Sequence, residues 1–232
     1  STATNATGTS APSVASLSTT PASAPPTLSS SSSSAVATTT ATLNFTSNEA
    51  GTYYYLIYAA ADSPPSAAAI AAQGDAVTKG TSSALAAANA VNVTGLSPGT
   101  AYKAYVIVKD ADTNASLVTT IDLTTKPSTP SAPDLADASD TGSSSTDNTT
   151  ADNTPTFDLS GLTVGATVTL TATPASGTPV NCVFTAVATT GSCTFSPALV
   201  NQTYSVAVKQ TINSVDSAAA TLASVVINTT TI

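Results

Sequence analysis

From residue 35 onward, short segments in which apolar and polar side chains alternate follow one another along the chain, the period of a half-buried strand. In TATLNFT (40–46), Ala41, Leu43 and Phe45 share one face while Thr42, Asn44 and Thr46 share the other. GTYYYLIY (51–58) is apolar on both faces, which predicts a strand in the middle of a sheet with aromatic rings on each side. Further on, Tyr102, Ala104, Val106 and Val108 form an inward row. ATVTLTA (166–172) alternates with Val168 and Leu170 inward, and TYSVAV (203–208) repeats the pattern. VNCVF (180–184) and SCTFS (192–196) read as strands around a loop, and TLASVVI (221–227) as a last strand. Only SAAAIAAQG (66–74) reads as a helix, a short surface turn ended by Gly74. The class is all-β, and the proline-punctuated KPSTPSAP (126–133) divides the strands into two units.

Composition changes the picture at the front of the chain. Residues 1–34 carry no charged side chain, are dominated by Ser, Thr, Ala and Pro, and end in six serines at 29–34, the composition of a linker. PSVASLST (12–19), with Val14 and Leu17, is the stretch there that offers a short strand. The expected divisions are an extended segment over 1–34, a first sandwich over 35–127 and a second over 128–232. Charged residues are 8% of the chain and the formal net charge is −8, so polarity rests on hydroxyls and amides rather than on the roughly 25% charge of an ordinary domain. Nucleic acid and anionic membranes need clustered Lys and Arg to displace counterions, and between Lys126 and Lys209 no basic residue occurs.

Catalysis is a poor reading as well, because the carboxylates lack a neighbouring base, nucleophile or positive clamp, and histidine is absent. No apolar run approaches the 18 residues or so that would span a membrane. Cys182 and Cys193, close and even in number, predict a disulfide formed in an oxidising compartment; two inert buried thiols are the alternative. Methionine is absent, so a mature product or an excised segment is expected, with a removed secretion signal as the natural explanation.

GLSPGTAYKAYVIVKD, followed by IDLTTKP at 121–127, resembles the closing strands of a fibronectin type III or related bacterial Ig-like domain. Leu96 before the turn and Tyr102 after Pro-Gly-Thr occupy the places of that family's turn and tyrosine corner. The resemblance covers about residues 35–127 and implies a seven-stranded sandwich; the insertion at 59–88 departs from it. PDLADASDTGSSSTDNTTADNTPTF (133–157) resembles the start of the bacterial Ig-like repeats of large secreted adhesins, a likeness that runs to about residue 227. In those repeats aspartates near domain junctions hold calcium. The resemblance therefore implies Asp137, Asp140, Asp147 and Asp152 as candidate calcium ligands, with no other cofactor required. The competing reading is a solvated loop whose Asp, Asn, Gly and Ser make turns.

Two further patterns read as structure. DADTN (110–114) has the spacing of half a calcium loop, but position twelve is Ile121 and position six is not glycine, so it reads as a turn. Tyr53, Tyr54, Tyr55 and Tyr58 would suit a sugar-stacking platform, although alternation sends one pair to each face and core packing accounts for at least one pair. The expectation is an extracellular or cell-surface bacterial structural protein, exported as a signal-bearing precursor: two tandem Ig-like β-sandwich domains forming a filament subunit. Segment 12–19 would add a strand to the next subunit, because the uncharged stretches 1–48 and 159–208 leave edges unguarded. Two classes compete with this: a calcium-stiffened spacer of a large adhesin, and an accessory module of a secreted enzyme that binds a surface glycan.

Overall fold

A strand with one apolar row must bury it against a second sheet, and both halves of the chain do so. The structure is a computed structural model and describes residues 23–230; the expected donor strand at 12–19 lies outside the described residues. The first sandwich comprises β1 (Leu28–Ser34), β2 (Ala41–Ser47), β3 (Gly51–Ala59), α1 (Ala67–Ala71), β4 (Thr78–Ala84), β5 (Ala88–Val93), β6 (Ala101–Lys109) and β7 (Thr119–Thr124). A three-stranded sheet β1–β2–β5 faces a four-stranded sheet β4–β3–β6–β7. As its two apolar faces predict, β3 lies between two neighbours. Tyr53 packs edge-on to Phe45 in the core, with ring centroids 6.0 Å apart, beside Tyr55, Ile57 and the inward row Tyr102, Ala104, Val106 and Val108. Tyr102 Oη accepts from Ser97 N at 2.9 Å, the tyrosine corner that the sequence implied.

The outer face of the same sheet exposes Leu56, Tyr105 and Ile107, and α1 covers them with Ile70. Ser66 caps the helix by accepting from Ala69 N at 3.2 Å. The stop comes one residue before Gly74: Gln73 takes the left-handed conformation, φ 54°, and its side chain donates back to Ile70 O at 3.0 Å.

The division expected at residue 34 moves forward, because the serine run is β1. It pairs antiparallel with β2 from Leu28↔Ser47 to Ser34↔Thr42, with a bulge between Ser29 and Ser32. Serine has little strand preference of its own; the free edge of β2, the amide of Asn44 donating to Ser34 Oγ at 2.8 Å and the packing of Leu28 on the core supply the difference.

The second sandwich comprises β8 (Asp134–Leu135), β9 (Thr149–Thr150), β10 (Thr156–Ser160), β11 (Thr167–Pro174), β12 (Val180–Thr185), β13 (Thr190–Thr194), β14 (Thr203–Ile212), β15 (Val215–Asp216) and β16 (Ala220–Ile227). Sheet β13–β10–β8 faces sheet β12–β11–β14–β16–β9, with β15 folded back on β14. Phe157 and Phe195 meet edge to face at 5.7 Å among Leu159, Val168, Leu170 and Val206. Cys182 and Cys193 form the expected disulfide, Cα–Cα 6.1 Å. It joins the edge strands of the two opposed sheets, β12 and β13.

Candidate functional site

The acidic opening of the second sandwich is a loop held together by its own side chains. Ser139 Oγ donates to Asp152 Oδ2 at 2.9 Å and accepts from Thr156 N at 3.0 Å. The other oxygen of Asp152 accepts from Thr154 N at 2.8 Å. Asp147 Oδ1 accepts from Thr149 N at 2.9 Å, and Thr150 Oγ1 donates to Ser139 O. These are the short side-chain-to-backbone bonds by which Asp and Ser make turns. Gly142 is required where it stands, since a Cβ there would lie 2.6 Å from Thr149 O.

The four candidate calcium ligands do not converge: among the described residues no three acidic, His or Cys side chains form a group able to hold a metal. Asp137 and Asp147 are exposed, and Asp152 is occupied on both oxygens. Asp140 differs. It is buried, Asn148 N donates to its Oδ2 at 3.1 Å, and its Oδ1 is buried without a partner. A buried carboxylate oxygen left unpaired is costly and calls for a cation or a water. Tested against the six to eight oxygens calcium requires, the set of four does not fit; Asp140 offers one oxygen that does.

The loop also lies at an unexpected end of the domain. The chain enters beside Gly161 and Thr163, with Ser131 N donating to Ser160 O at 3.0 Å. It reaches the acidic loop only after running antiparallel along β10 as far as Ala136, whose N donates to Thr156 O at 3.0 Å. There β9 pairs in parallel with the end of the last strand, Thr149↔Val226 and Thr150↔Ile227, and Asn228 N donates to Thr150 O at 2.8 Å. The aspartates thus stand where the chain leaves the second sandwich, not at its junction with the first.

The 110–114 segment is a turn, as read. Asp110 accepts from Asn114 N at 2.8 Å and from Asn114 Nδ2 at 2.9 Å, and these bonds, the side-chain amide foremost, hold its carboxyl below the ordinary range. The tyrosines are divided between two packing clusters: Tyr53 belongs to the core, while Tyr54 and Tyr58 lie against the α1 cluster, with Lys109 above the Tyr54 ring at 5.9 Å. A shallow hollow of about 480 Å³ on the outer face of β8, β10 and β13 is lined by Asp134, Asp158, Ser160 and Thr190. Its two carboxylates stand directly opposite each other in register, and no base lines it.

One residue escaped the sequence reading. Gln210 is fully buried; its Oε1 accepts from Thr163 N at 2.7 Å, and its Nε2 donates to Ser128 O at 2.7 Å in the segment joining the sandwiches. The signal was present: Gln210 continues the inward row Tyr204, Val206 and Val208, and a polar residue in such a row needs partners.

Residues 124–229 match the bacterial Ig-like domain family. Among curated proteins nothing matches the sequence. Among solved structures the chain is similar to a two fibronectin type III domain segment from chicken tenascin, at 14% identity and TM-score 0.48, over 84% of this chain and 97% of that one. Bacterial Ig-like domains are ordinarily non-catalytic, and that match together with the disulfide points to an extracellular or surface location. Among the described residues no helix is long and apolar enough to cross a membrane. The strand topology of both halves and the family match agree: both halves are Ig-like β-sandwiches, and residues 124–229 match the bacterial Ig-like domain family.

Proposed function

We propose that the chain is a load-bearing spacer in a bacterial surface protein of structural or adhesin-like role. The path of the backbone carries this reading. The chain enters the first sandwich beside the β6–β7 turn, where Ser23 O accepts from Asn114 Nδ2 at 3.0 Å. It leaves the second at the opposite end, where Thr229 N donates to Asn201 Oδ1 at 3.2 Å. Tension between the ends would load both sandwiches in series. In each, the outgoing strand runs parallel to a strand formed early in that domain's stretch of chain. β7 lies beside β1, with Ser33 Oγ donating to Asp122 O at 2.9 Å and Lys126 N to Ala37 O at 3.0 Å; β16 lies beside β9. Parallel strands drawn from opposite ends slide in shear, so their bonds share the load instead of opening one by one.

Assembly into a filament by strand donation is a second reading, favoured by the edge strand β12, which carries no charge and has no outer neighbour among the described residues. Because β1 already completes the first sandwich, a donated 12–19 would add to such an edge and not fill a vacancy. Light scattering of the purified chain decides between them. An elongated monomer is expected. Polymers that disappear when residues 1–20 are removed would overturn the spacer in favour of donation, and polymers that survive the deletion would overturn both.

Calcium enters this reading only at Asp140, whose Oδ1 is buried without a partner, and would stiffen the exit of the second sandwich. Calorimetric titration should give heat and a raised melting temperature for that domain, both lost in Asp140→Asn. A wild-type chain that gives neither removes calcium from the reading.

A further inference from the structure

We infer that each sandwich carries, at the turn between its last two long strands, a side-chain amide that grips the backbone entering it, and that the grip made by Gln210 fixes the two sandwiches in one orientation. The two turns share one base. In the first, Val108 N donates to Ser116 Oγ at 3.0 Å, Ser116 N to Val108 O at 2.9 Å, and Ser116 Oγ to Leu117 O at 3.0 Å. In the second, Gln210 N donates to Ser217 Oγ at 3.1 Å, Ser217 N to Gln210 O at 2.9 Å, and Ser217 Oγ to Ala218 O at 2.7 Å. From that base each turn sends an amide to the incoming chain: Asn114 Nδ2 to Ser23 O at 3.0 Å, and Gln210 Nε2 to Ser128 O at 2.7 Å. The residues and their positions differ while the target is the same, the carbonyl of a residue leading into the domain.

The Gln210 amide has one workable orientation. Thr163 N is a donor, so it must face the amide oxygen; Ser128 O and Gly161 O are acceptors, so they must face the amide nitrogen. The side chain is fully buried, where either amide atom left unpaired would be costly. The connecting segment is held on both sides of this bond. Lys126 O accepts from Gly99 N at 3.0 Å, and Ser131 N donates to Ser160 O at 3.0 Å. Pro127 and Pro130 fix φ between them.

Ile212, at the tip of the same hairpin, reaches across to the first sandwich. A Cβ on Gly99, where φ is +61°, would lie 3.0 Å from Ile212 Cδ1 and 3.6 Å from Pro127 Cα. The angle between the sandwiches is therefore set by the hairpin, with no free linker to set it. This concerns the stiffness of the molecule and holds whichever surface role the chain serves.

Residual dipolar couplings of the full chain in a weakly aligning medium test it. In the wild-type chain both sandwiches should report a single alignment tensor. Gln210→Met keeps the length of the side chain and removes the amide; it should split the couplings into two tensors of unequal magnitude, with each domain still fitting its own fold. Ile212→Asp, at a half-buried tip, should do the same without entering the core of the second sandwich. Two tensors in the wild-type chain, or one tensor kept in a folded Gln210→Met, overturn the inference. If Gln210→Met does not fold, one tensor kept in Ile212→Asp overturns it.

Discussion

The two sandwiches close the same kind of fold with different devices. In the first, the sheet around β3 is apolar on both faces, so it has a core inside and a second cluster outside, Leu56, Tyr105 and Ile107 beneath Ile70 of α1. In the second, the outer face of β11 is Thr167, Thr169 and Thr171, which water satisfies, and no helix occurs among the described residues. What the second sandwich leaves open is a side edge, and Cys182–Cys193 ties its two strands across that gap. A face that is apolar needs a cover, whereas an edge that is merely loose needs a bond. The first therefore stands on packing from both sides of one sheet, and the second on one core and a crosslink.

That contrast is open to attack, starting with the core of the second sandwich. Phe157 is fully buried against Phe195, so Phe157→Ala should cost about 3–5 kcal/mol. Denaturant unfolding followed by NMR should show the loss in the second sandwich alone. Removing the crosslink comes next. Cys182→Ser with Cys193→Ser opens a loop of sequence separation 11, and the chain-entropy model gives about 3 kcal/mol; calorimetry should lower one transition and leave the first sandwich unchanged. Equal shifts in both would erase the distinction. Ile70→Ala, which uncovers the outer cluster of the first sandwich, should cost about 2 kcal/mol, the low end for such a truncation because a short surface helix can settle into the gap. Here the second sandwich should be the silent one.

Charge gives the smallest effect, with opposite signs in the two halves. Hydrogen bonds from Lys209 and then Thr211 hold the Asp216 carboxyl below its ordinary value of 3.8. A depressed folded value means that the contribution is present above the unfolded value and is lost as pH falls through the folded one. For a pair this exposed it amounts to about a few tenths of a kcal/mol. In the first sandwich Asp122 holds Lys103 above its ordinary 10.5, by its hydrogen bond first, so that contribution is present below 10.5 and is lost as pH rises through the folded value. NMR titration should place the Asp216 midpoint below 3.8, and Lys209→Ala should return it toward the ordinary value.

Alternation made most of the strands legible. In β2, β6, β11 and β14 the apolar rows name the inward face, because a pleated strand can bury one face only if every second side chain is apolar. Cys182 and Cys193 were legible as a pair from number and spacing. β1 was not: six serines have no inward face, and the open edge of β2, with Leu28 packed on the core, makes them a strand. The acidic loop was legible as a place rich in turns, but not as a place at the exit of the domain. Sequence order puts its aspartates just after the junction, and the run from Ser131 to Ala136, paired antiparallel along β10, carries them to the far end.

The sequence by itself thus determined the class, the division into two units, the inward rows and the absence of any cluster of positive charge. These depend on residue type and on a local period, and both are written along the chain. The tertiary structure alone decided which carboxylate is buried with an oxygen to spare, that Gln210 faces Ser128 and Thr163, and that Ile212 meets Gly99. The last two join residues far apart in the sequence whose meeting depends on the register and twist of whole sheets, and no local pattern encodes such a distance.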